Sequence, residues 1–166
     1  MKLLSKIATL LLLLATFFLA GTELIYAQNT QDLKLPNTII NPGSFYYPFK
    51  RLIEKGRERV IFSAEGKISF AASLLKTRLS ELDYVTEKKV LSEIQGSSER
   101  FAYQAGILTE ELIQSKSEKK KAIVKEFEKY SKFLEPLRDR YPANSSFWML
   151  VQHDINTLSI LGERLR

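Results

Sequence analysis

One histidine and no cysteine among 166 residues narrow the chemistry open to this chain. Without a thiol there is no disulfide framework, no thiolate zinc site and no cysteine nucleophile. With a single imidazole there is no His-rich metal centre. His153 stands between Gln152 and Asp154. Neighbours one apart on a helix do not face each other, so Asp154 cannot orient His153 as a general base, and His153 reads as a partly exposed polar residue. Carboxylates are paired at Glu110-Glu111 and at Glu126 with Glu128. A di-metal bundle site needs Glu-x-x-His on facing helices, and no Glu stands three residues before His153. No serine lies in a G-x-S-x-G context. Asn144-Ser145-Ser146 matches a glycosylation acceptor, but a helix cap explains it with fewer assumptions. The expectation is no catalytic residue, no cofactor, no metal and no enzymatic activity.

Two surfaces stand out instead. Lys116, Lys119, Lys120, Lys121 and Lys125 surround one helix start, offset by Glu118 and Glu126, and form a candidate polyanion-binding patch. It lacks the Arg forks and interleaved aromatics of nucleic-acid sites, which argues against nucleic acid as partner, and a solvated helix face accounts for it without any partner. The second surface is aromatic. Phe45, Tyr46, Tyr47 and Phe49 cluster around Pro48, and Phe147-Trp148 form a second group. Rings of ~150–250 Å² are expected to clamp the ends of a bundle, with an exposed aromatic groove as the alternative. Adjacent tyrosines cannot both face one core. Tyr46, Tyr47, Lys50 and Arg51 are therefore the candidate partner-binding corner, with one of the two rings turned inward and the other outward.

The elements that must position these residues begin after an address. Lys2 and Lys6 precede an apolar run from Ile7 to Ala20, and a polar stretch ends in Leu24-Ile25-Tyr26-Ala27. The run is shorter than the ~20 residues of a spanning helix, so residues 1–27 read as a signal peptide cleaved after Ala27. The product would be extracytoplasmic, secreted or periplasmic. An uncleaved anchor is the alternative, and only then is the membrane a partner. Removing Lys2, Lys6 and Glu23 from 25 basic and 19 acidic residues leaves a net charge of +5 on the remainder, which suits polyanions but is common on ordinary domains.

Residues 28–44 read as an extended linker closed by the turn Asn41-Pro42-Gly43-Ser44, and residues 45–166 as a helical domain. A first helix from Phe45 to Phe62 carries Phe49, Leu52, Ile53 and Val60 on one stripe, with Lys50, Arg51, Glu54, Lys55, Arg57 and Glu58 facing away. Ser63 caps a second helix, whose stripe is Ala71, Leu74, Leu75, Arg78, Leu79 and Leu82 and which Asp83-Tyr84 ends. Thr86 caps a long third helix near 87–114, with the heptad seam Leu91, Ile94, Ser98, Phe101, Ala105, Leu108 and Leu112. A fourth near 117–141 carries Ile123, Phe127, Tyr130, Leu134, Leu137 and Tyr141, kinked or broken at Pro136 and ended by Pro142. These two seams are expected to form an antiparallel hairpin. A last helix, capped within Asn144-Ser145-Ser146, carries Phe147, Val151, Ile155, Leu158 and Leu165. No alternation supports a strand. The fold class predicted is all-α, an elongated antiparallel bundle of four to five helices.

The stretch from Pro42 to Lys55, Pro-Gly-Ser-Phe-Tyr-Tyr-Pro-Phe-Lys-Arg-Leu-Ile-Glu-Lys, resembles the opening of an uncharacterised bacterial extracytoplasmic helical domain, seen also in the outer parts of anti-sigma-factor-like proteins. That family opens with a Pro-Gly-Ser turn, a Tyr three residues later and a Lys-Arg-x-x-Glu helix. The likeness continues through Phe62-Ser63-Ala64-Glu65 and Arg78-Leu79-Ser80-Glu81. It covers the first two helices and implies placement and fold more than activity. Gly66, Ile68, Ser69 and Phe70 depart from the Ala- and Glu-rich second helix of that family, which implies extra packing there. The function expected is a secreted, non-enzymatic helical module that binds a protein, peptide or envelope polymer. The alternative is a polyanion-binding protein for wall polymer, anionic lipid or nucleic acid. Oligomeric state is left open.

Overall fold

Period-3.6 stripes become five helices in the structure, a computed structural model that describes residues 33–166. These are α1 Tyr47–Arg59, α2 Ala64–Glu87, α3 Leu91–Gln114, α4 Lys120–Arg138 and α5 Ser146–Leu165. No strand occurs among the described residues, and the fold is all-α. The signal expected at residues 1–27 and the linker residues 28–32 lie outside the described residues. Leu35–Arg166 form one compact unit.

Local chemistry sets several boundaries. The Ser63 hydroxyl accepts from Gly66 N–H at 3.1 Å and opens α2, and the Ser145 hydroxyl accepts from Trp148 N–H at 3.3 Å and opens α5. Each satisfies one of the orphan donors of a first turn. Thr86 is not the cap of α3. It lies inside α2 and is buried. Val85, fully buried, draws α2 through Asp83-Tyr84 to Glu87, because its burial outweighs a weak local stop signal. The chain reverses at residues 88–90, where Lys89 adopts φ +53. α4 runs through Pro136 and ends at Arg138, three residues before Tyr141.

Both seams are buried except at one end of each: Leu91, the first residue of α3, is 49% exposed, and Tyr141, beyond the end of α4, is half-buried. Ile94, Phe101, Ala105, Leu108 and Leu112 on α3, and Phe127, Tyr130, Leu134 and Leu137 on α4, are each at most 2% exposed. Their partners differ from expectation. α3 and α4 do not form the hairpin. α2 lies along α3, α4 along α5, and α3 along α5, with a shorter contact between α2 and α4. Each connection is too short to run the ~36 Å of a 24-residue helix, so consecutive helices alternate in direction. The neighbours α3 and α5 are then parallel, and α3 and α4 stand diagonally. A seam specifies that one face is buried but not against which helix. The diagonal placement lets the α3 seam meet α2 and α5 together.

Candidate functional site

α1 joins the bundle through its polar face. Tyr47, Lys50 and Glu54 recur at steps of three and four, so one side of the helix carries all three. Opposite them on α2 stand Arg78 and Glu81, an (i, i+3) pair within the buried stripe. Glu81 is wholly buried and accepts from three side chains. The Tyr47 hydroxyl donates at 2.7 Å, Lys50 Nζ at 2.6 Å, and Arg78 Nη1 to both carboxylate oxygens at 2.8 and 2.9 Å. Arg78 also donates to Glu54. Lys50 Nζ reaches the Ile40 carbonyl at 3.0 Å, and the Ser80 hydroxyl donates to the Pro36 carbonyl at 2.8 Å. Residues 35–44, read from sequence as linker, are thereby pinned against α2. Gly43, at φ +88, makes the turn that aims the chain into α1.

The knot has a definite electrostatic state. Burial pushes the Glu81 carboxyl up, but Arg78, Lys50 and Tyr47 more than offset this and hold it below the usual carboxylate range. Burial, reinforced by the Glu81 charge, pushes the Tyr47 phenol up to about 12. Arg100 of α3 stacks its guanidinium 5.2 Å from the centre of the Tyr47 ring, a cation–π contact that adds a third element to the corner.

Pairing on this side turns the other side of α1 to solvent. Phe49, Leu52, Ile53 and Val60, expected from their spacing to face the core, are 59–68% exposed. The residues expected to face away, Lys50 and Glu54, are the ones at the contact. The correction has a physical reason. A buried carboxylate and guanidinium left against an apolar stripe would each cost several kcal/mol. Facing Arg78 and Glu81 with Tyr47, Lys50 and Glu54 avoids that cost. Phe45, at 82%, and Tyr46, at 63%, are also exposed and pack edge-to-face on each other at 5.6 Å. The first aromatic cluster therefore clamps nothing beyond Tyr47. The second does: Phe147 lies 5.4 Å from Tyr141, and Arg138 stacks 5.2 Å from Trp148 where α4 turns into α5.

The four residues of the candidate partner corner thus divide. Tyr47 and Lys50 are engaged in the Glu81 knot, whereas Tyr46 is exposed and Arg51 half-buried. The lysines of the second candidate patch divide too. Lys120, Lys121 and Lys125 line one open cleft of about 840 Å³ with Val124, Leu165 and Arg166, and Glu118 and Glu128 share its rim. Lys119 pairs with Glu65 of α2, and Lys116 sits exposed in the α3–α4 turn at φ +52. His153 is exposed. Among the described residues no group of three or more metal-ligating side chains converges, and no helix is long and apolar enough to cross a membrane.

Asp154, discussed from sequence only as a neighbour of His153, is wholly buried on α5, and neither carboxylate oxygen has a well-formed hydrogen bond; the Ser98 hydroxyl of α3 interacts with it only weakly. Burial pushes its pKa up to about 8, with the Ser98 hydroxyl of α3 drawing it slightly back. Spacing could have found it: Asp154 lies three residues after Val151 and four before Leu158, within the buried stripe. Arg78 and Glu81 carry the same signal, charge at stripe positions.

The architecture defines a helical module whose first helix docks by hydrogen-bonded charges and presents its apolar side outward. Residues 39–140 match a domain of unknown function (DUF5667), and the chain belongs to that family. The match begins at Ile39, within the segment before α1, takes in the helices through α4 and leaves α5 outside. No curated protein and no solved structure matches the chain.

Proposed function

We propose that this protein is an extracytoplasmic, non-enzymatic binding module whose contact face is the outer side of α1. One observation carries the reading: α1 is held by its polar side, and its apolar side has no cover among the described residues. Phe45, Tyr46, Phe49, Leu52, Ile53, Val60 and Phe62 are each 59–88% exposed, an apolar area on the order of 1,000 Å² at ~150–250 Å² per ring. The largest apolar patch on a typical monomer is ~300–600 Å². Export rests on the apolar run and small residue of positions 1–27, with Gln28 as the mature N-terminus. The turn-and-helix opening supports the same placement through its likeness to the outer domains of anti-sigma-factor-like proteins. The partner is then a component of the envelope.

A second reading rests on the cleft of Lys120, Lys121 and Lys125, which suits a polyanion. One capture experiment separates the two. The chain from Gln28, wild type and Phe49→Ser/Ile53→Ser, is used to capture material from envelope extract in low and high salt. Loss of capture in the variant supports the α1 face. Capture kept by that variant, but lost in Lys120→Gln/Lys121→Gln/Lys125→Gln and weakened steeply by salt, supports the cleft.

A further inference from the structure

We propose that the outer face of α1 seats on the surface of an anionic lipid bilayer, with the helix lying in the plane of the headgroups. This rests on the reading of α1 as contact helix and names what it contacts. Shape is the first argument. The exposed apolar side chains form a ridge along one helix rather than a groove. Gly56 sits within that ridge, and a Cβ added there would meet nothing within 4 Å. A convex ridge needs either a complementary groove in its partner or a surface that yields along its whole length, as a bilayer does.

Charge decides between these occupants. At ~100° per residue, Arg57 and Arg59 fall on opposite edges of the ridge, with Lys55 beyond Arg59. Lys55, Arg57 and Arg59 are exposed, Arg51 is half-buried, and Glu58 is the only exposed acid of the helix. None of these four cations has an ion-pair partner among the described residues. Long basic side chains beside an apolar ridge lay their stems along it and lift their heads to phosphates, while Phe and Leu enter the acyl boundary. A second copy of the same face would set these cations against each other, so charge opposes a dimer through α1 and favours an anionic surface. Of the five helices α1 separates its apolar and charged sides most sharply, and charged side chains outnumber apolar ones along it. That combination belongs to an interfacial helix rather than a spanning one.

The test uses residues 28–166. They contain the whole compact unit Leu35–Arg166 and every buried apolar side chain described, and they omit the run at 7–20, which would bind bilayers by itself. Flotation is measured with vesicles of phosphatidylcholine containing phosphatidylglycerol and with pure phosphatidylcholine vesicles. Binding is expected on the anionic vesicles and to fall as salt rises. Phe49→Ser/Ile53→Ser should lower it ~10-fold or more. Arg57→Gln/Arg59→Gln should lower it ~5-fold per charge. All four side chains are exposed, so the melting temperature should stay unchanged. Three results overturn the proposal: no binding to anionic vesicles, binding that survives Phe49→Ser/Ile53→Ser, or a concentration-dependent dimer dissolved by that variant without vesicle binding. Capture of an envelope protein or polymer that needs Phe49 and Ile53, without vesicle binding, also overturns it while leaving α1 as the contact helix. If neither vesicles nor captured material depends on those residues, both readings fall.

Discussion

The buried carboxylate of Asp154, which has no charged partner among the described residues, makes stability depend on pH in a calculable way. Its pKa is about 8 in the folded chain against an ordinary 3.8. Below pH 3.8 both states are protonated, and the contribution to stability is fully present. As pH rises from there the unfolded chain releases the proton and the native one keeps it. Stability then falls by about 1.4 kcal/mol per pH unit until the folded group ionises near pH 8. The loss from this group is about 4 kcal/mol at pH 7 and levels off between about 5 and 6 kcal/mol above pH 8, a large share of the ~5–15 kcal/mol of an ordinary domain. Asp154→Asn keeps the shape and cannot ionise. Its amide brings donors to a buried site, at a pH-independent cost of about 1–3 kcal/mol where they go unpaired. The variant should therefore be close to wild type at pH 5 and clearly more stable at pH 8. Urea unfolding at 25 °C, at pH 5, 6, 7, 8 and 9, measures the difference between the two proteins, in which every other titrating group cancels. That difference should widen by about 4 kcal/mol from pH 5 to pH 8 and then stay constant. Parallel profiles would refute the reasoning and mean that Asp154 is ionised throughout, with its charge compensated.

The Glu81 knot predicts the opposite pH dependence. Its depressed pKa contributes stability that is present above the ordinary 4.5 and lost as pH falls through the lower folded value. Glu81→Gln should cost about 3–5 kcal/mol at neutral pH by removing the buried charge that Lys50 and Arg78 share and leaving Arg78 with Glu54 alone, and amide hydrogen exchange should show α1 losing protection before α2–α5. Two glycines should behave in opposite ways in thermal melts. A Cβ at Gly66 would stand 2.7 Å from the Ser63 hydroxyl and 2.8 Å from Ile61 Cγ2, so Gly66→Ala should displace the α2 cap and cost about 1–2 kcal/mol. A Cβ at Gly162, within α5, would meet nothing within 4 Å, so Gly162→Ala should gain about 0.5–1 kcal/mol.

The sequence by itself determined whatever depends on a residue and its near neighbours. Ser63 as a cap and a cap within Asn144-Ser145-Ser146 were legible, because a hydroxyl three residues before an amide can satisfy it without help from the rest of the fold, although the same reading failed at Thr86, which tertiary burial draws into α2. The apolar groups of the seams from Leu91 to Leu112 and from Ile123 to Tyr141 had to share one helix face, because they recur at steps of three and four. Tyr46 and Tyr47 had to diverge. Only the tertiary structure decided what those faces meet. The two seams look alike from outside, and nothing in their spacing says that each pairs with another helix while they stand diagonally. α1 shows the limit most clearly. Its stripe was legible, but the direction of that stripe was set by Arg78 and Glu81, 24 to 34 residues away from their partners. A buried carboxylate must be met by donors, and the donors lie opposite the stripe. Asp154 follows the same rule from the other side: its place in a helical period was visible, but its isolation from any charged partner among the described residues exists only once α3 and α5 have closed over it.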